Sequence, residues 1–461
     1  DYIYMNNGDG TFREELEKQM RSIGGASMGS DIADITGDGY PEIFVTEMLP
    51  ENDERIKTTM TFEDWDKYTH NLSNGYYHQF TRNMLHRHNG LTLDNGINFS
   101  EVGRLSGVEA TDWSWSPLIT DLDNDGYKDL FITNGLAQDI LNQDYLKYVS
   151  SEEIVHMVVK EDGVDYKKLI DIIPVNRIPN YAYAGGPDLK FSNKTTQWGL
   201  DKPSHSNGAA YGDLDNDGDL DLVVNNVNMP VFIYRNKSNL KNNEHNYLKV
   251  VLVGQGKNKL GVGTKVTIKA NGRIFYQEQM PNRGFQSSVD SRLNFGLGKL
   301  QTVDSLIVDW YYGKQTVLTK LAVNQTIKVL ESEANTTEVK LVVSKSKKEV
   351  VFTKVTSEIG MSYSHKENEF VDFDRDRLMY HMKSTEGPKT IVGDVNSDGL
   401  DDFYIGGAKD SSGKLFVQTI NGHFKSTNVE LFEKDKTSED RSEEHTSEHQ
   451  SRSDLGCRLL P

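Results

Sequence analysis

A single cysteine in 461 residues, Cys457, rules out an internal disulfide and any cysteine-based zinc framework. Cysteine usage therefore leaves the compartment open. Long apolar runs are missing as well, with nothing approaching the roughly 18 residues that a bilayer-spanning helix needs. The chain opens at Asp1 with neither Met nor a signal-peptide pattern. Positive charge is in deficit: 51 Lys and Arg stand against 69 Asp and Glu, a net charge of -18. Such a surface repels nucleic-acid backbones and anionic membranes, so no nucleic-acid partner is expected. Proline is scarce at 11 residues, whereas glycine reaches 39 and aromatics 10%. That balance fits a turn-rich globular β protein rather than a disordered one.

The length suits two or three domains at roughly 150 residues each. Both ends read as those of a fragment. Asp1 to Phe12, "DYIYMNNGDGTF", has the pattern of a last strand and turn without the strands before it. Arg441 to Glu448, "RSEEHTSE", reads as the translation of a sequencing-library adapter, so residues 441–461, Cys457 included, are expected to carry no evolved structure.

What the sequence does contain is a repeat. Four segments align: "DITGDGYPEIFVTE" from Asp34, "DLDNDGYKDLFITN" from Asp121, "DLDNDGDLDLVVNN" from Asp213 and "DVNSDGLDDFYIGG" from Asp394. Each is an acidic nine-residue loop that runs into an apolar, β-favouring stretch. Turns with a following Phe recur around them, at 8–12, 95–99 and 421–424. The wide spacing is filled by helical insertions, around Thr61 to Thr69 and within Asn142 to Ile173. Between the third and fourth loops the pattern changes to short alternating strands with Gly or Asn turns. Residues 246–331 thus read as a separate β-sandwich-like domain, 332–350 as a linker rich in Thr, Ser, Lys and Glu, and 351–440 as the start of a second repeat series.

The loops have the chemistry of calcium sites. Calcium takes six to eight hard oxygen ligands at flexible angles, and carboxylates at alternate positions of a tight loop converge on one point. Asp121, Asp123, Asp125 and Asp129 supply them in the second loop, with the Tyr127 carbonyl. The third repeats this with Asp213, Asp215, Asp217, the Asp219 carbonyl and Asp221. The first offers Asp34, Thr36, Asp38, the Tyr40 carbonyl and Glu42, a poorer set because Thr36 replaces an acid or amide. The fourth offers Asp394, Asn396, Asp398, the Leu400 carbonyl and Asp402, with an extra acid at Asp401. An EF-hand would place a bidentate Glu at position 12, where Ile132 and Val224 stand instead. Crowded carboxylates repel unless a cation sits among them, so folding should be calcium-linked.

These repeats resemble FG-GAP or VCBS repeats, the blades of integrin-α-like propellers. Segment 246–331 resembles the ASPIC/UnbV domain through "GVGTKV" at 261–266, "RGFQSS" at 283–288, "LNFGLG" at 293–298 and "VDSLIVDWYYG" at 303–313, departing at Tyr312, where that family often has Pro or Ser. The resemblance, shared with cartilage acidic protein relatives and large bacterial surface proteins, implies an all-β-dominated fold. Residues 1–245 would form a partial propeller with helical insertions, followed by the sandwich-like domain and the first part of a second propeller. It also implies a secreted or cell-surface protein, a calcium-binding adhesion scaffold with a protein or glycan ligand. The alternative is a hydrolase or glycan-processing accessory enzyme that uses the propeller face.

Three patterns invite a catalytic or ligand reading. Gly25 to Gly29 spells G-x-S-x-G around Ser27, but a nucleophile elbow needs a helix after the serine, where a strand and acidic loop follow here. His86 and His88 can share one strand face, yet no third metal ligand stands nearby, so ordinary surface or packing histidines are expected. Trp113 and Trp115 are read as core aromatics rather than a sugar platform. A sequon at Asn98-Phe99-Ser100 has meaning only in a eukaryotic secretory pathway. No enzymatic activity is expected.

Overall fold

The computed structural model describes residues 1–59, 65–91, 96–151, 159–160, 163–164, 166–238, 244–311, 313–336, 352–361, 363–367, 369–376 and 382–436. Tyr312, residues 337–350 of the expected linker and the tail 441–461 lie outside them. The chain divides into two compact units, Asp1–Val343 and Ser344–Pro461.

The first unit begins with a two-stranded hairpin, Tyr4–Asn6 and Phe12–Glu14. Three antiparallel meanders follow. The first runs through Ser30–Ala33, Glu42–Val45, Met84–Leu91 and Ile97–Glu101. The second runs through Ser114–Thr120, Asp129–Asn134, Tyr181–Ala184 and Ser192–Asn193. The third has Ser206–Gly212, Asp221–Asn226 and Phe232–Tyr234. First strands of consecutive meanders pack on one another, which arrays the sheets as propeller blades. The fold is thus all-β with few helices, as the repeats imply.

Side-chain alternation explains why the second blade is buried on both sides. Along Asp129–Asn134, Phe131 joins Leu118, Leu222 and Val224 toward the third blade, while Leu130 and Ile132 join Ile119, Phe44 and Leu85 toward the first. Each such side chain contributes roughly 1.5–3 kcal/mol on full burial. Helices Asp53–Thr59 and Trp65–Ser73 interrupt the first blade, and Gln143–Val149 and Tyr166–Asp171 the second, each pair between strands two and three. Asn142 caps its helix by accepting the Tyr145 amide at 3.0 Å. Arg55 ties the first insertion down, donating to Asp112 at 2.9 and 3.0 Å and pairing with Asp139.

Residues 246–336 form two sheets around one core. One sheet orders Leu293–Gly298, Asn246–Val253 and Gln325–Leu330, the last pair parallel; the other orders Arg273–Glu278, Lys265–Ala270, Thr302–Trp310, Lys314–Ala322 and Asn335–Thr336. Leu248, Val250 and Leu252 alternate inward to meet Val266, Ile268, Leu306 and Val308. The opposite face of the Asn246–Val253 strand places Tyr247 and Lys249 against the third blade's loop. A short hairpin, Asn282–Arg283 with Ser287–Ser288, reaches out of the sandwich to the blades.

In the second unit, Thr390–Gly393, Asp402–Ile405, Lys414–Gln418 and Phe424–Thr427 repeat the blade meander. Phe403 stacks on Phe416 at 5.0 Å and meets Phe424 edge-on at 4.9 Å. Helix Val429–Asp435 follows, with Phe432 buried beside Tyr404.

Candidate cation-binding loops

Every acidic loop is the turn between the first and second strands of a blade, and its last acid opens the second strand. The pairs Ala33 with Glu42, Thr120 with Asp129, Gly212 with Asp221 and Gly393 with Asp402 close the four turns. A left-handed residue at position four and a Gly at position six let the chain reverse this tightly: Asn124 and Gly126, Asn216 and Gly218, Ser397 and Gly399 all have positive φ. In the first loop both left-handed positions are glycines, Gly37 and Gly39.

One hydrogen-bond scheme recurs. The first acid accepts amides from across the turn: Asp34 from Gly39 (3.0 Å), Asp121 from Gly126 (2.9 Å), Asp213 from Gly218 (3.0 Å) and Asp394 from Gly399 (2.8 Å). The acid at position five accepts the amide two residues on, as Asp38 does from Tyr40, Asp125 from Tyr127, Asp217 from Asp219 and Asp398 from Leu400. The last acid reaches back to the amide after the first, at Ile35, Leu122, Leu214 and Val395. Its other oxygen accepts Gly185 N for Asp129, Asn236 N for Asp221 and Gln418 N for Asp402. Glu42, one methylene longer, has no such partner for Oε1, although it is fully buried.

Loops two and three draw their carboxylates together. Ligand oxygens of Asp121, Asp123 and Asp129 lie within 4.8 Å of one another, and so do those of Asp213, Asp215 and Asp221. Asp125 and Asp217 flank these groups with their side chains engaged by amides, and the buried Asp219 carboxylate accepts from Ser238 Oγ at 3.0 Å. Asp121 Oδ1 is buried and without a hydrogen-bond partner. Burial raises the Asp121 carboxyl, Lys128 opposes the shift, and the like charges of Asp125 and Asp123 add to it. Asp129 is raised by burial and then by Asp121. A hard divalent cation fits this donor set, since Lys128 alone does not balance three converging carboxylates. Among the described residues, no matching three-acid convergence occurs in the first or fourth loop. Glu42 is raised to about 7, by burial above all, while Asp394 is exposed.

The sandwich domain lies over the three N-terminal loops. Arg273 donates to Gly126 O at 2.8 Å with its guanidinium over the Tyr127 ring, and Gly298 N donates to Asn124 O at 2.9 Å. His245 Nδ1 meets Asp123 O at 2.8 Å. On the third loop, Arg292 donates to Asp213 O and Asn216 Oδ1, both at 2.7 Å, and Lys249 pairs with Asp213. A cavity of about 220 Å³ remains at the seam, lined by Asp34, Thr36, Asp121, Lys128, Arg273 and Phe275. None of these covering residues was legible as a loop contact, although the glycine runs "RGFQSS" and "LNFGLG" supplied a signal for close backbone approach.

The remaining sequence candidates have structural surroundings. Ser27 donates to Asp1 at 3.2 Å and is followed by strand Ser30–Ala33 rather than a helix. His86 is 1 % exposed, and His88 stacks on Tyr40 at 4.9 Å with Phe99 edge-on at 5.0 Å. Trp115 donates to Gly135 O at 2.7 Å and packs on Phe285, with Trp113 beside it.

Blade-like sheets with acidic first turns, joined to a two-sheet sandwich, define a repeat-propeller scaffold. Residues 1–45 match the FG-GAP-like repeat family, and residues 254–336 match the ASPIC and UnbV family. No curated protein matches the chain. Together the two matches suggest a surface or extracellular binding scaffold. No helix among the described residues is long and apolar enough to cross a membrane.

Proposed function

We propose that this chain is a calcium-stabilised, non-enzymatic binding scaffold of the cell surface or extracellular space, with a protein or glycan ligand. The observation that carries the calcium reading is the buried, unpartnered Asp121 Oδ1 among the converging carboxylates of Asp121, Asp123 and Asp129. Bound there, calcium would neutralise charge that the native turn concentrates; the loops' own work is to hold the carboxylates ready through amide hydrogen bonds. Asp213, Asp215 and Asp221 would hold a second ion in the same manner. Extracellular modules of this sort bind calcium at about 10⁻⁴–10⁻³ M, so the millimolar calcium outside cells would fill them. The external ligand would meet the blade rim or the inserted helices, because the sandwich domain occupies the loop side.

The test is calcium titration of the whole chain by calorimetry, paired with melting in calcium and in chelator. At a free calcium of about ten times Kd, each filled site should stabilise the fold by roughly 1.4 kcal/mol. Asp121→Asn should remove the binding step of the second loop. Identical melting of the wild type in 5–10 millimolar calcium (roughly ten times the weak-module Kd) and in chelator would sink the proposal.

A further inference from the structure

We propose that the partner of the second and third acidic loops is the chain's own sandwich domain, a fixed cover latched by the 282–288 hairpin, so that cation uptake and seating of the cover stabilise each other. This rests on the loops being cation sites.

The cover reads the loops through their backbone. Asp123 O, Asn124 O and Gly126 O each take a donor from residues 245–298, and Asp213 O takes Arg292. Such contacts depend on turn conformation rather than on the acidic side chains. Gly296 makes the dependence steric: a Cβ there would lie 1.9 Å from Asp121 Oδ2 and 2.7 Å from Asn124 Cα. At the third loop the Tyr247 ring is so close to Gly218 that a Cβ on that glycine would meet it at 2.0 Å. The cover therefore fits one loop conformation, the one in which the carboxylates converge. With no cation present, repulsion among Asp121, Asp123 and Asp129 favours opening of the turn, which withdraws the carbonyls from their donors.

The hairpin holds the cover in register with all three blades. Ser30 and Gly284 exchange backbone hydrogen bonds at 3.4 and 3.1 Å, and Arg283 pairs with Asp31 on the strand that leads into the first loop. Phe285 N donates to Ser116 Oγ at 3.1 Å, and its ring packs on Trp115 at 4.9 Å. A Cβ at Gly208 of the third blade would meet Ser287 Oγ at 2.6 Å. Coupling between two sites is reciprocal in binding free energy, so a cation that favours the closed turn must favour the seated hairpin by the same factor.

The test uses the full chain. Hydrogen–deuterium exchange of residues 282–298 is compared in calcium and in EGTA, and calcium affinity is measured by calorimetry for the wild type, Arg283→Ala and Arg283→Lys. Coupling predicts that calcium slows exchange in 282–298 by about fivefold or more, the lower end of the usual range. Arg283→Ala should weaken calcium binding by a similar factor, and Arg283→Lys should recover part of it. Equal exchange with calcium demonstrably bound overturns the coupling and leaves the loops as cation sites. Equal calcium affinity in Arg283→Ala and wild type overturns the latch. A wild type that takes up no calcium overturns both this inference and the proposed function. Should Arg283→Ala fail to fold, the wild-type exchange comparison decides the matter alone.

Discussion

Arg283 Nη1 lies 2.7 Å from Asp31 Oδ1, joining two side chains 252 positions apart that are only 8 % and 2 % exposed. Asp31 spends its other oxygen on the Ile119 amide at 2.7 Å, so one carboxylate links the first blade, the second blade and the sandwich hairpin. Burial raises the Asp31 carboxyl, with Arg283 the largest opposing influence. Removing one partner of such a pair leaves the other charge buried and uncompensated, typically at about 3–5 kcal/mol. Arg283→Ala should therefore lower the urea midpoint of the first unit substantially. Arg283→Met together with Asp31→Asn should recover much of the loss, because no lone charge remains. A double variant as unstable as Arg283→Ala would show that packing, not charge, dominates this contact.

His86 gives the fold an acid sensitivity that can be separated from the loops. Burial pushes the imidazole down to about 4; Glu101 opposes the shift and Arg82 adds to it. The unfolded chain takes up this proton near pH 6.5, but the folded chain takes it up only near 4. Between those values the unfolded state binds more protons, so stability falls as pH drops through the window and is unaffected by this group above it. The full effect is on the order of a few kcal/mol, at about 1.4 kcal/mol per pH unit. His86→Leu should flatten the loss of urea midpoint between pH 7 and 4.5, values chosen to bracket roughly that window, in constant excess calcium. A slope identical to the wild type would remove His86 from the account.

The repeating loops were legible because their chemistry is local: nine residues fix the turn, the carboxylates and the strand that follows. Asp121, Asp123 and Asp129 converge as their spacing suggests, whereas Asp219, expected to offer only its carbonyl, also buries its side chain against Ser238. The first loop shows how a single methylene alters a shared scheme, since Glu42 keeps the back-hydrogen bond to Ile35 and leaves Oε1 without the amide that Asp129 finds in Gly185. What local pattern could not supply was the cover. Arg273, Arg292 and His245 meet the loops across more than 70 positions, and no periodicity announces such a contact. Gly296 stands in a recognisable run, but its reason, the nearness of Asp121, exists only in the folded chain.

Lys249 should make the two convergent loops unequal. Its ammonium, 3 % exposed, rests on Asp213, and Arg235 adds a contact to Asp215 at 2.7 Å. The third loop thus carries positive charge in direct contact with its carboxylates, which a divalent cation must displace or share, whereas Lys128 acts on Asp121 through charge alone and leaves it a buried oxygen without a partner. Lys249→Met preserves the aliphatic stem beside Tyr247 and removes the charge. Without the ammonium, the carboxylates of Asp213, Asp215 and Asp221 repel one another more strongly in the cation-free protein, so the melting temperature in chelator should fall. Calcium affinity at this loop should rise by about tenfold, equivalent to roughly 1.4 kcal/mol. Calorimetry should then show the wild type's tight and weak steps drawing together, and the melting shift produced by calcium should grow. If both binding steps keep their affinities in Lys249→Met, the ammonium does not compete with the cation and the third loop is governed by its geometry alone.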